Sequence, residues 1–202
     1  MISAAIHGFL LALGLILPLG VQNVFVFNQG AAQPRWLNTL PVVLTAALCD
    51  TLLIFLAVFG VSAVVFAINW IQTTILIIGI GFLVFMGYTT WKSKPSVSGE
   101  ANQFFSPRKQ IAFAASVSLL NPHAIMDTIG VIGTSSLSYT GSAKYSFMIA
   151  CILVSWIWFL GLSVAGRLLG RMDQSGKMVG ILNKISAVIM WGTAIYLILT
   201  LI

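Results

Sequence analysis

The chain predicts an all-α integral membrane protein with six transmembrane helices, built as two inverted three-helix repeats in which helices 1 and 4 are broken. Three observations lead there. Of 202 residues, 59% are hydrophobic and only 7% charged, with a mean hydropathy of +1.03, whereas soluble domains carry about 25% charged residues. Stretches of roughly 20 apolar residues, the length an α-helix needs to cross a ~30 Å hydrocarbon core, follow one another closely. The basic residues gather in alternate loops.

Helix 1 is expected from about Ile2 to Phe27, apolar at first and then interrupted by Pro18, Gly20, Gln22 and Asn23. The start Met1-Ile2-Ser3-Ala4 lacks the basic residues of a secretory signal and its apolar run is too long for one, so it reads as a retained helix. A loop over 28–38 follows, with Gln29, Gly30, Pro34 and Arg35, and Trp36 placed to anchor at the interface. Helix 2 spans about Thr39 to Ala67 and contains Asp50. Asn69 and Trp70 form a tight turn into helix 3, about Ile71 to Trp91, where Gly79, Gly81 and Gly87 permit close helix approach. Residues 92–110 form a basic linker with Pro95, Gly99 and Pro107. Helix 4 runs from about Ile111 to Leu137 and is broken at Asn121-Pro122-His123, helix 5 from about Tyr145 to Ala165, and helix 6 from about Ile181 onward.

Orientation follows from counting charges. Loops 1, 3 and 5 with the adjoining helix ends hold Arg35, Lys92, Lys94, Arg108, Lys109, Arg167, Arg171, Lys177 and Lys184, and only Lys144 lies on the other side. The positive-inside rule makes these loops cytoplasmic and puts both termini outside. The net charge of +6 is therefore a topology signal beside anionic lipid and not a nucleic-acid footprint. The repeats are 1–91 and 111–202, joined by 92–110 in one transporter domain. Three helices per half force the halves to be inverted, and in such folds interrupted helices at matching positions mark the binding site.

Two acids fall deep in the predicted helices. At ~1.5 Å of rise per residue, Asp50 lies about 18 Å from the cytoplasmic start of helix 2 and Asp127 roughly 25 Å from that of helix 4. An ionised carboxylate there costs at least ~2.5 to 3.5 kcal/mol, so these acids call for a cationic ligand, a proton, or both. Asn121 and His123 lie within two turns of Asp127, and His123, with an unperturbed pKa near ~6.5, is a candidate proton relay. Gln22 and Asn23 offer amide dipoles beside the break at Pro18 and Gly20. Each residue also has a plain structural alternative: a protonated Asp50 bonded to a neighbouring helix, an interfacial Asp127, a His123 bonded to a carbonyl freed by Pro122, and amides that merely repair the first break. Cys49 and Cys151 stand apart without C-x-x-C spacing and read as small core residues. No metal or cofactor is expected: one His and two Asp in helices 2 and 4, without a Cys or Met cluster, are too few for a metal site.

Pro18-Leu19-Gly20-Val21-Gln22-Asn23-Val24-Phe25, Cys49-Asp50-Thr51-Leu52 and Asn121-Pro122-His123-Ala124-Ile125-Met126-Asp127-Thr128 resemble the LysE/ArgO branch of the LysE-type amino-acid exporters, over the whole chain in length, helix count and motif order. Cys49 stands where Ser or Gly is usual, and Ile125 where an aromatic is usual. The resemblance implies export of lysine or arginine from a bacterial cytoplasm, by a multi-pass protein of the cytoplasmic membrane that is not an enzyme. Outward movement of one positive charge against an inside-negative potential costs about 2.3 kcal/mol per 100 mV, which exchange for an incoming proton cancels. The expected partners are thus the lipid bilayer, a basic amino acid and protons, with a homo-oligomer left open. An exporter of neutral amino acids or another small cation, and a structural or assembly subunit of a membrane complex, are the competing readings.

Overall fold

The computed structural model describes residues 1–17, 20–60, 105–120, 124–125 and 127–172, together with single residues and pairs within 73–92 and 180–199. The described residues form helices and no strand. Helix α1 (Ile2–Ile16) is followed by α2 (Val21–Ala32), and the two are bent by 78° at the intervening break. A 3-10 turn, Trp36–Thr39, leads into α3 (Leu40–Val58). Helix α4 is Pro107–Leu119, a π-helix occupies Asp127–Gly133, and the long α5 is Gly141–Met172. Described residues within 73–92 and 180–199 are helical too. Two helices are long and apolar enough to span a membrane, Trp36–Val58 and Gly141–Arg171, and the bent pair α1–α2 makes a third if taken as one span. The chain is thus a multi-pass membrane protein.

Several boundaries differ from the sequence expectation. The first loop is shorter, because Asn28, Gln29 and Gly30 continue α2. Helix 2 stops at Val58, nine residues before the expected end at Ala67, because Gly60 takes φ +77, a left-handed conformation that ends helices readily at glycine. Helix 5 begins earlier and runs on through Arg167 and Arg171, which therefore stand on a helix instead of in a loop. At 32 residues it is about 48 Å long, more than a bilayer's apolar core requires.

Helix α5 is the element against which α1, α2 and α3 pack. In lipid there is no hydrophobic drive between helices, so close contact depends on small residues that admit neighbouring backbones. Ala4, Gly8 and Ala12 make such a stripe on α1, all buried. A Cβ on Gly8 would sit 2.5 Å from the Phe147 carbonyl oxygen, and the Cys151 thiol, buried at this contact, donates to the Gly8 carbonyl at 3.4 Å. The α2–α5 contact is tighter still. Gly166 and Gly170 lie against the carbonyls of Phe27 and Ala31, and Gly30 lies against that of Ser163, with no room for a methyl group at any of the three. Elsewhere, Gly87 receives the indole of Trp191, whose Nε1 donates to the Val84 carbonyl at 3.2 Å, while Gly81 faces open space. Gly79 and the Asn69–Trp70 turn lie outside the described residues.

Two ties complete the α2–α5 pair. The Trp36 indole, half-buried, donates to Ser163 Oγ at 3.1 Å, so the expected interfacial anchor is also bonded within the protein. The Arg167 guanidinium donates to the carbonyls of Gln33 and Pro34, placing a cation at the C-terminal end of α2, where the helix dipole favours it. Gly166→Leu should lower the unfolding midpoint of the detergent-solubilised protein by several degrees, since overpacking costs about 1–3 kcal/mol and each kcal/mol is worth about 2–4 °C at this length. Gly161→Ala, where a Cβ meets nothing within 4 Å, should leave the midpoint unchanged in the same melt.

Candidate functional site

The buried side of α3 is a regular stripe: Val42 and Val43, Ala46 and Ala47, then Leu53 and Ile54, Ala57 and Val58. Asp50 occupies the next step of that stripe, between Ala47 and Leu53, where helical spacing points a side chain inward. Both of its carboxylate oxygens are occupied. Gln22 Nε2 donates to Oδ1 at 3.2 Å and Ser155 Oγ donates to Oδ2 at 2.8 Å. One donor comes from α2 and the other from α5, so Asp50 joins three helices. Each hydrogen bond to a charged acceptor is worth about 1.5–3 kcal/mol, comparable with the ~2.5 to 3.5 kcal/mol needed to hold a carboxylate at membrane depth. Both donors are neutral, so the negative charge is solvated without being cancelled.

The break between α1 and α2 makes this geometry possible. Gly20 caps α2 in an extended conformation, with φ −74 and ψ 174, and its carbonyl accepts the first turn's bond from Val24 N at 3.1 Å. The bend then brings Gln22, 8% exposed, to Asp50 in a position that an unbroken helix 1 would not reach. Asn23 does something different: its Nδ2 donates to the Ile16 carbonyl at 2.8 Å, supplying a donor to the C-terminal end of α1. The two amides of the first motif thus divide, Gln22 serving the carboxylate and Asn23 the break. Beside them, Thr51 Oγ1 donates to the Ala47 carbonyl at 2.7 Å and accepts from Trp156 Nε1 at 3.1 Å, which adds a second polar link between α3 and α5.

In the second broken segment, α4 ends at Leu119, and the next described helical residues are Ala124 and Ile125. Asp127 opens the π-helix, a rare element often found at functional sites. The π-helix packs on α3 through Gly133, whose Cβ position lies 3.3 Å from the Ala57 carbonyl oxygen. The side chain of Asp127 and the whole of Pro18, Asn121, Pro122 and His123 lie outside the described residues. Sequence reasoning singled out Asp50 and Gln22 but not Ser155. A hydroxyl near the middle of an apolar 32-residue helix was the available signal, and it is weak because serine also bonds its own helix backbone.

The family model for LysE type translocators matches residues 13–201. YisU of Bacillus subtilis, provisionally named an amino-acid transporter, is 56% identical over 194 residues, covering 96% of this chain and 88% of that protein. Proteins named arginine exporter ArgO are 34% identical over 195 residues in Salmonella typhimurium, covering 95% of this chain and 91% of that protein. In Pectobacterium carotovorum the ArgO protein is 32% identical over 201 residues, covering 98% and 97% respectively. No solved structure matches the chain. A helical membrane protein with a carboxylate held by donors from two neighbouring helices and a family match over nearly its whole length, this chain belongs to the LysE type translocators and is a membrane transport protein.

Proposed function

We propose that the protein exports basic L-amino acids, arginine or lysine, across a bacterial cytoplasmic membrane in exchange for protons. The observation that carries this reading is the solvation of Asp50: it is placed in the apolar stripe of α3, and its donors are the neutral Gln22 and Ser155. A carboxylate so held is free to take either a proton or an ammonium or guanidinium group. Alternation between the two moves a cation outward for each proton inward, which removes the opposing work of about 2.3 kcal/mol per charge per 100 mV. The arginine-exporting relatives support a basic substrate, and the motif around Gly20, Gln22 and Asn23 supports the same branch.

In this reading Asp127, His123 and Asn121 complete the site from the second broken segment, with Pro18 and Pro122 making the two breaks. Residues 1–91 and 111–202 act as inverted three-helix halves about the 92–110 linker. Both termini face outward, and the loops bearing the basic residues face the cytoplasm.

Inverted membrane vesicles with an imposed pH gradient test the proposal, since uptake there corresponds to export from the cell. Asp50→Asn should lower gradient-driven arginine uptake by at least about 30-fold, because removing one member of a buried charged pair costs roughly 2–5 kcal/mol. Retention of pH-driven uptake by this variant would refute the exchange role of Asp50. Ser155→Ala should reduce uptake by roughly tenfold, the value of one hydrogen bond to a charged acceptor, and Ser155→Thr should restore most of it by keeping the hydroxyl. Equal activity of the alanine and threonine variants would show that Ser155 does not support the carboxylate.

A further inference from the structure

Between Asp50 and the C-terminal end of α2 lies a second organised region. Gln22, Gln29 and Gln33 recur on one face of α2 at spacings of seven and four residues, and are 8%, 7% and 3% exposed. This buried polar face is interrupted in the middle. Val26, fully buried, sits one turn beyond Gln22, and the neighbouring Phe25 is stacked on Phe113 of α4 with ring centroids 3.8 Å apart. Phe105, just before α4, closes the group, 5.8 Å from Phe25 and 5.9 Å from Phe113.

The backbone of Phe105 is clasped at the same point. Its carbonyl accepts from Gln33 Nε2 at 3.1 Å and from Gln110 Nε2 at 2.9 Å, and Gln110 Nε2 also donates to the Asn38 carbonyl at 3.0 Å. Gln33 is supported in turn by Gln29, whose Oε1 accepts from it at 3.1 Å. The clasp draws together the end of α2, the turn before α3 and the start of α4. It is also incompletely satisfied: Gln110 Oε1 is buried with no partner. Such a group costs about 1–3 kcal/mol, part of which hydration on opening would recover.

We propose that the ring stack Phe25–Phe105–Phe113, clasped by Gln33 and Gln110, is the gate between Asp50 and the membrane face that bears the basic loops. The proposal rests on the transport reading above. Arg167 fastens the end of α2 to α5, and glycine packing fixes the C-terminal half of α2, so the moving part is Phe105 with the start of α4. The Phe105 ring is 36% exposed over a Phe25 that is 7% exposed, as a lid over a buried seat.

Val26→Cys in a Cys49→Ser/Cys151→Ala background reports on the barrier. A membrane-impermeant methanethiosulfonate cation should label it slowly in inverted and right-side-out vesicles alike. Adding Phe105→Ala with Gln110→Ala should raise the rate roughly tenfold or more in inverted vesicles only, as expected from lost clasp bonds and ring contacts. An unchanged rate overturns the proposal, and so does an equal rise from both faces, which would signify loosened packing. In a second arm, Phe25→Cys with Phe105→Cys in the same cysteine-free background, which ties the moving part to α2 across the 5.8 Å ring contact, should form a disulfide under copper phenanthroline that stops arginine uptake until dithiothreitol reverses it. Uptake that continues in the cross-linked protein overturns the gate. Labelling needs no transport, so a parent that failed to move arginine would sink the export reading while the labelling arm still judged the gate.

Discussion

A carboxylate set among apolar side chains must be solvated by the protein that carries it, and Asp50 is the group whose needs most of the surrounding structure meets. Its two oxygens draw one donor from α2 and one from α5. The donor on α2 can reach only if the first span bends, which requires the break around Gly20 and a donor for the carbonyl released at Ile16. The donor on α5 reaches because α5 packs on α3 as well as on α1 and α2, the last two through the glycines at 8, 30, 166 and 170. Local backbone chemistry, close packing and the polar site are thus parts of one arrangement.

The coarse architecture and the centre of the site were legible in the sequence because they rest on strong signals. Membrane residence follows from composition, and Asp50 from the rarity of an acid within an apolar helix. The interruption of helix 1 follows from Pro18 and Gly20. What escaped was set by partners far away in the chain. Ser155 looks like any membrane serine until Asp50 is placed opposite it, 105 residues away. Gln29 and Gln110 resemble loop and linker residues until α2 extends through Gly30 and α4 begins at Pro107. The end of helix 2 was misjudged because its apolar run continues past Gly60, whose left-handed turn hydropathy does not register.

The contacts of α5 divide by type along its length. With α1 and α2 the contact is mainly backbone against glycine, and it is closed at the far end by Arg167. With α3 it includes the polar links Ser155–Asp50 and Trp156–Thr51. Helix α4, by contrast, meets α2 through aromatic rings and meets the segments around it through side-chain amides. Glycine contacts leave no slack to be taken up, whereas rings and amides can separate and re-form; the α1–α2–α5 group is accordingly the rigid frame.

The buried amides of Gln29, Gln33 and Gln110 have one more consequence. Glutamine is electrically neutral in every protonation state available in water, so making or breaking these bonds transfers no net charge through the bilayer field. A latch of lysine and glutamate at the same depth would couple its opening to the membrane voltage, by the share of the field its charges cross out of the about 2.3 kcal/mol per charge per 100 mV of a full crossing. An amide latch opens at nearly the same free-energy cost in an energised and a depolarised cell, which leaves voltage sensitivity to the carboxylate and to whatever cation it holds.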